Sequence, residues 1–172
     1  MGPKRFHKLL FIGDSLIEFF DWQARFPDFL VENYGLAGES VKGLLSRSQA
    51  IAENVAAPDF ILIMIGTNNV AIEDFSFLPD YEAIINTFQH SYPATEIIVN
   101  GLFPMRVPWL ADSAITQTNE LLEELASSKR IGYMDGFNIF SDHQNCFLED
   151  GVHISDHGYR LWSNAIEDLI IQ

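Results

Sequence analysis

The sequence predicts an α/β fold in which a parallel sheet is covered by helices on both faces. Two patterns predict it. Short apolar runs alternate at regular intervals with segments whose apolar residues recur at helical spacing. The run Phe60–Ile65 is apolar throughout, as expected of a central parallel strand with no solvent face. The chain has 172 residues, 48% hydrophobic and 13% aromatic, enough for one domain with a sizeable core.

In chain order, Leu9–Ile12 reads as a first buried strand ending at Gly13-Asp14-Ser15, with a helix over Leu16–Trp22. Phe29–Asn33 is a second strand, and Gly35 and Gly38 break the pattern after it. Val41, Leu44, Leu45, Ile51 and Val55 recur near helical spacing and predict a helix over 41–55. Pro58-Asp59 ends it and Phe60–Ile65 is the third strand, followed by a turn at Gly66-Thr-Asn-Asn69. Asp80–His90 is helical, with Ile84, Ile85 and Phe88 inward, and Glu96–Asn100 is the fourth strand. Gly101–Asp112, with two prolines, is a loop. Ser113–Ser128 is a helix with Ile115, Leu121, Leu122 and Leu125 inward, and Ile131–Met134 is the fifth strand. Residues 136–151 read as mostly irregular, and Gly158–Ile171 as the last helix.

A net charge of −14 leaves no basic surface for nucleic acid or for anionic membranes. No apolar stretch is long enough to span a membrane. The single cysteine, Cys146, cannot form an intrachain disulfide, and the apolar run after the basic N-terminus stops too early for a secretory signal. A cytoplasmic location is the expectation.

In a sheet of this kind ligands bind beyond the carboxyl ends of the strands. Ser15, Gly38, Asn68 and the Phe103–Trp109 loop all follow strands and can share that crevice. Ser15, between a strand end and a helix start, is a candidate nucleophile that needs a base; the competing reading makes Asp14 or Ser15 a helix cap. His153 is the candidate base and Asp150, three residues earlier, its orienting acid, with Gly151 allowing a tight turn between them. The Asn68 amide and the N–H groups of Gly38 and Ser15 are candidate oxyanion donors. His153 and His157, with Asp14 or Asp150, form a weaker metal-site candidate, because Gly158 argues against a regular helix across the pair. Cys146 has no histidine implied by its spacing, and His7, His90 and His143 read as surface residues. Asp14 lacks the acidic cluster and lysine that phosphoryl acceptance needs. No glycine-rich loop supports a flavin or a dinucleotide.

Gly13-Asp14-Ser15-Leu16, Asn33-Tyr-Gly-Leu-Ala-Gly38, Gly66-Thr-Asn68-Asn69 and Asp150-Gly-Val-His153 resemble, in order, the four sequence blocks of the SGNH (GDSL-type) hydrolase family. Two positions depart from it: Asn69 and Glu39 stand where aspartate is common. The resemblance implies a three-layer α/β/α sandwich with a flavodoxin-like sheet of five parallel strands. It implies a Ser15–His153–Asp150 triad, an oxyanion hole of Ser15, Gly38 and Asn68, and no metal or organic cofactor. The expected substrate is a small-molecule acyl ester with a short acyl group, such as O-acetyl on a carbohydrate. The alternatives are lysophospholipase or thioesterase action on longer chains, or a catalytically silent binding protein. Asp14, Asn69, Phe103, Met105, Arg106 and Trp109 are candidate pocket residues, with Phe19, Phe20 and Trp22 nearby. Pairing into a homodimer is an arrangement some relatives adopt.

Overall fold

A computed structural model describes residues 6–171; residues 1–5 of the basic N-terminal stretch, and Gln172, lie outside them. The strands are β1 (Lys8–Gly13), β2 (Leu30–Gly35), β3 (Phe60–Met64), β4 (Glu96–Asn100) and β5 (Gly132–Met134). The helices are α1 (Ser15–Glu18), α2 (Trp22–Arg25), α3 (Val41–Asn54), α4 (Thr67–Ala71), α5 (Leu78–Ser91), α6 (Asp112–Lys129), α7 (Gly136–Phe140) and α8 (Asp156–Ile171), with a 3-10 turn at Gln144–Cys146.

All four strand pairings are parallel, in the order β2-β1-β3-β4-β5. This is the flavodoxin-like order, and the chain reverses its direction of travel across the sheet between β1 and β3. Leu9–Ile12 of β1 and Phe60–Met64 of β3 are wholly inaccessible, as their unbroken apolar runs require. Gly13 is in register with Gly35 on one side and Met64 on the other, so β1, β2 and β3 end level at one edge.

The expected elements are present, with differences that have local causes. The helix expected over Leu16–Trp22 is two short helices, because two aspartates each start one: Asp14 Oδ1 accepts from Leu16 N at 3.0 Å and Asp21 Oδ1 from Ala24 N at 2.9 Å. The expected turn after β3 continues into α4, with Gly66 left-handed at its N-cap (φ 117°). The irregular stretch 136–151 contains α7, capped by the Asp135 side chain on Asn138 N. On α6, Leu121 faces solvent and Ala126 takes a core position instead, alongside Ile115 and Leu122. The last helix starts two residues earlier than expected, at Asp156, which puts His157 in its first turn.

An aromatic cluster locks α8 and α2 to the sheet. Trp162 meets Trp22 edge-on at 5.0 Å and Phe103 edge-on at 4.9 Å. Its buried indole N–H donates to Asn100 Oδ1 at 2.8 Å. Among the described residues, no helix is long and apolar enough to cross a membrane.

Trp162→Phe keeps an aromatic ring but leaves the Asn100 oxygen buried without its donor. It is expected to lower unfolding free energy by about 2–3 kcal/mol, measured as a lower urea midpoint at unchanged slope. A loss under about 0.5 kcal/mol, the range of ordinary surface changes, would show that this bond does not hold α8.

Candidate active site

The carboxyl edge of the sheet gathers side chains that are remote in sequence. Ser15, on the first turn after β1, is 7% exposed, and its Oγ lies 2.9 Å from His153 Nε2. His153 Nδ1 lies 2.5 Å from Asp150 Oδ2. A carboxylate can only accept, so Nδ1 carries the hydrogen and Nε2 is left to accept from the Ser15 hydroxyl. Burial raises the Asp150 carboxyl, but hydrogen bonds from the His153 ring and from the N–H groups of Val152 and His153 outweigh it and hold the group below the usual carboxylate range. Asp150 is therefore ionised wherever the fold is intact near neutral pH.

The segment carrying Asp150 and His153 is not a floating loop. Asp150 Oδ1 accepts from Val152 N and His153 N, both at 2.9 Å, so its two oxygens fix backbone and ring together. Gly151 adopts φ 71°, and a Cβ there would lie 2.5 Å from the Arg106 carbonyl oxygen. Arg106 N donates to Gly151 O at 2.7 Å. The loop after β4 thus braces the loop that bears the histidine.

Gly38 and Asn68 stand on the turns after β2 and β3, at the same edge as the turn after β1 that carries Ser15. Gly38 is left-handed (φ 74°) with open space where a Cβ would point, so it is the backbone conformation that favours glycine there. Among the described residues, neither the Gly38 N–H nor the Ser15 N–H has a protein acceptor. Asn68 Nδ2 donates to the Glu39 carbonyl at 2.9 Å, which ties α4 to the Gly38 turn and leaves the amide's second hydrogen available. Glu39 is buried and takes two 2.6 Å bonds from Arg47, which also donates to Tyr34 O at 2.7 Å. Its extra methylene over aspartate gives the reach to this clamp beneath the turn.

Several candidate pocket residues sit elsewhere than expected. Asn69 is buried, accepting from Val41 N at 2.9 Å and donating to Asp74 Oδ2 at 2.7 Å; it brackets α3 to α4 and does not face a substrate. Phe103 and Met105 are buried, Phe103 between Phe140 and Trp162. Trp22 is also in the core, and Phe20 stacks on Tyr159. The exposed Arg106 guanidinium lies over the Phe147 ring at 5.7 Å. Phe19, by contrast, is 61% exposed with its ring 5.8 Å from that of His153. Trp109, anchored by its indole N–H on Ala71 O, is likewise exposed. Leu36, Ile72 and Leu148, not singled out by sequence, join them as exposed apolar side chains on loops at this edge. Only their position beyond strand ends marks them out.

His153 has both ring nitrogens engaged by Ser15 and Asp150, which leaves neither for the weaker His153–His157 metal candidate. His157 instead lies with Cys146 and His143, so the expectation that the cysteine has no histidine neighbour is corrected. Cys146 is buried and burial pushes its thiol up, which does not suit a nucleophile.

Asp14 is wholly buried beside the nucleophile and does not line a pocket. Its Oδ2 is buried beside the Thr67 hydroxyl, and among the described residues neither atom meets another polar partner. Loss of hydration pushes the Asp14 carboxyl up to about 7, against the opposing pull of the Leu16 N–H.

A family model described as the GDSL-like Lipase/Acylhydrolase family matches residues 11–161. The human platelet-activating factor acetylhydrolase IB subunit alpha2 is 26% identical over 175 residues, spanning 95% of this chain and 76% of that protein. A solved structure from Streptococcus pneumonia, described as a candidate platelet activating factor, is 27% identical with a TM-score of 0.85, covering 95% of this chain and 84% of the other. An acetylxylan esterase from Geobacillus stearothermophilus shares the fold, at 24% identity and a TM-score of 0.74 over 99% of this chain and 96% of its own.

The buried Asp14 makes stability depend on pH. Its carboxyl binds a proton more tightly folded (about 7) than at its ordinary value of 3.8, so this stabilisation is complete below about pH 4 and is lost as pH rises through 7. Relative to Asp14→Asn, which has no proton to lose, the wild type should weaken by about 3 kcal/mol between pH 5 and pH 8. Urea unfolding of both proteins at the two pH values measures it; parallel pH trends would mean that Asp14 ionises as an ordinary carboxyl.

Proposed function

We propose that Ser15 is the nucleophile of a chain that belongs to the GDSL-like lipase/acylhydrolase family and is a carboxylic-ester hydrolase. The observation that carries this reading is the hydrogen-bonded line Ser15–His153–Asp150. His153 Nε2 takes the hydroxyl proton as Ser15 Oγ attacks the acyl carbon. The N–H groups of Ser15 and Gly38 and the free hydrogen of Asn68 Nδ2 receive the negative oxygen, each donor contributing roughly 3 kcal/mol to the transition state. The C–O bond to the leaving alcohol breaks and His153 returns the proton to that oxygen. Water then attacks the acyl-serine with His153 again as base, releasing the acid and restoring the hydroxyl. Asp150 stays ionised and holds the ring in one tautomer.

The acyl group in this reading is short, acetyl by preference. Relatives aligned along most of the chain are named for acetyl removal. The interior under the site is also filled, since Phe103 and Met105 are buried. A longer chain has to lie on the surface, where Phe19, Trp109 and Leu148 offer apolar contact. That exposed rim is the one feature favouring the second reading, hydrolysis of longer acyl chains as in a lysophospholipase or thioesterase. An O-acetyl carbohydrate is the leaving-group class proposed, stacking on the same aromatic faces.

Ser15→Ala is expected to remove p-nitrophenyl acetate hydrolysis, a loss of roughly 10⁴-fold or more in kcat with folding intact. Asp150→Asn should lose roughly 10³- to 10⁴-fold, because an amide can donate to Nδ1 and select the wrong tautomer. Activity surviving in the Ser15 variant would refute the nucleophile.

Across p-nitrophenyl esters from acetyl to decanoyl, kcat/KM should fall steeply beyond butyryl. A flat or rising series would keep the chemistry but transfer the assignment to the longer-chain reading.

A further inference from the structure

On the far side of the loop that bears Asp150 and His153, the structure gathers His143, Cys146 and His157. Their ligand atoms all lie within 4.8 Å of one another. We propose that these three side chains bind a borderline-soft divalent metal ion, zinc(II) by preference, and that the ion ties together the two ends of the loop.

The donor set is the first argument. Thiolate with two imidazoles is a combination zinc favours and that calcium and magnesium do not. Tetrahedral bonds of about 2.0 Å to nitrogen and 2.3 Å to sulfur put neighbouring ligand atoms about 3.3–3.6 Å apart. The present spacing closes to that with about an ångström of movement, which the exposed His143 side chain can supply by a change of rotamer. Three protein ligands leave a fourth position for water or an exogenous donor.

The second argument is that the backbone builds the triangle. Cys146 N donates to His143 O at 3.1 Å, which curls that turn, and Ser155 N donates to Cys146 O at 2.7 Å, which brings the start of α8 alongside. Phe147 and Ile154 form an antiparallel bridge between. A Cβ at Gly158 would stand 2.8 Å from the Cys146 carbonyl oxygen, so glycine lets the first turn of α8, with His157, press against the cysteine. The buried thiol is thus held beside two imidazoles, one of them, His143, open to solvent.

Without an ion, the two imidazoles meet edge to face at 6.5 Å and His157 Nδ1 has a 3.5 Å contact from the exposed Arg160 guanidinium. Arg160 opposes a cation locally and has to swing away; the chain's net charge of −14 favours one overall. The ion lies outside the Ser15–His153–Asp150 line, so its role is to anchor the loop and not to activate water.

Cobalt(II) is the probe. Titrated into chelator-treated full-length protein, it should saturate at one equivalent per chain and give a thiolate-to-cobalt charge-transfer band with tetrahedral d–d absorption, both abolished by competing zinc. Cys146→Ser should lose the charge-transfer band. His143→Gln, at an exposed position that leaves the core intact, should weaken binding at least tenfold, while His90→Gln on α5 and Ser15→Ala should not change it. Zinc should raise the thermal midpoint of the wild type and not of His143→Gln. Folded wild type that takes up no cobalt, binds it without the charge-transfer band, or binds it equally after His143→Gln would overturn the proposal.

Discussion

The parallel pairing of β1 with β2 on one side and β3 on the other determines where every other group can go. Parallel strands end together, so the turns after β1, β2 and β3 lie side by side and bring Ser15, Gly38 and Asn68 to one edge. The register is held by burial: Leu9–Ile12 and Phe60–Met64 have no solvent face on either side. A slip of one residue would move Ser15 by about 3.3 Å along the strand. That displacement exceeds the whole 2.9 Å length of its bond to His153. Hydrophobic burial, which has no directional preference of its own, is in this way converted into positional accuracy at a hydroxyl.

The histidine arrives by a different route. It stands on an irregular segment that no strand or long helix positions, so local polar contacts do the positioning. Asp150 spends one oxygen on two backbone N–H groups and the other on the imidazole. Hydrogen bonds to an ionised group are worth about 1.5–3 kcal/mol each, enough in sum to order a short loop against its conformational entropy. The Arg106 backbone braces the turn at Gly151 from outside. The His143–Cys146–His157 triangle sits at the base of the same segment, where a crosslink constrains both ends of the loop at once.

Asp14 shows a cost accepted next to the reacting group. It caps α1 through one oxygen and buries the other beside the Thr67 hydroxyl. Below about pH 7 a neutral carboxyl is the cheaper state there, since an isolated buried charge costs far more than a shifted proton.

The sequence by itself determined the alternation of strands and helices, the central place of Phe60–Ile65 and the four segments that meet at the edge, because hydrophobic period and local turn chemistry are written residue by residue. It was less informative wherever a side chain has two plausible surroundings. Phe103, Met105 and Trp109 all belong to one apolar loop, yet two are core and one is surface; for Phe103 the choice is made by Phe140 and Trp162 standing against its ring. Asn68 and Asn69 are adjacent, yet helical rotation in α4 aims one at the Gly38 turn and buries the other against Val41 and Asp74. The break between α1 and α2 came from two competing caps, and the meeting of Cys146 with His157 came from a close approach at Gly158. Such outcomes depend on which surfaces are brought into contact, and only the tertiary structure decides that.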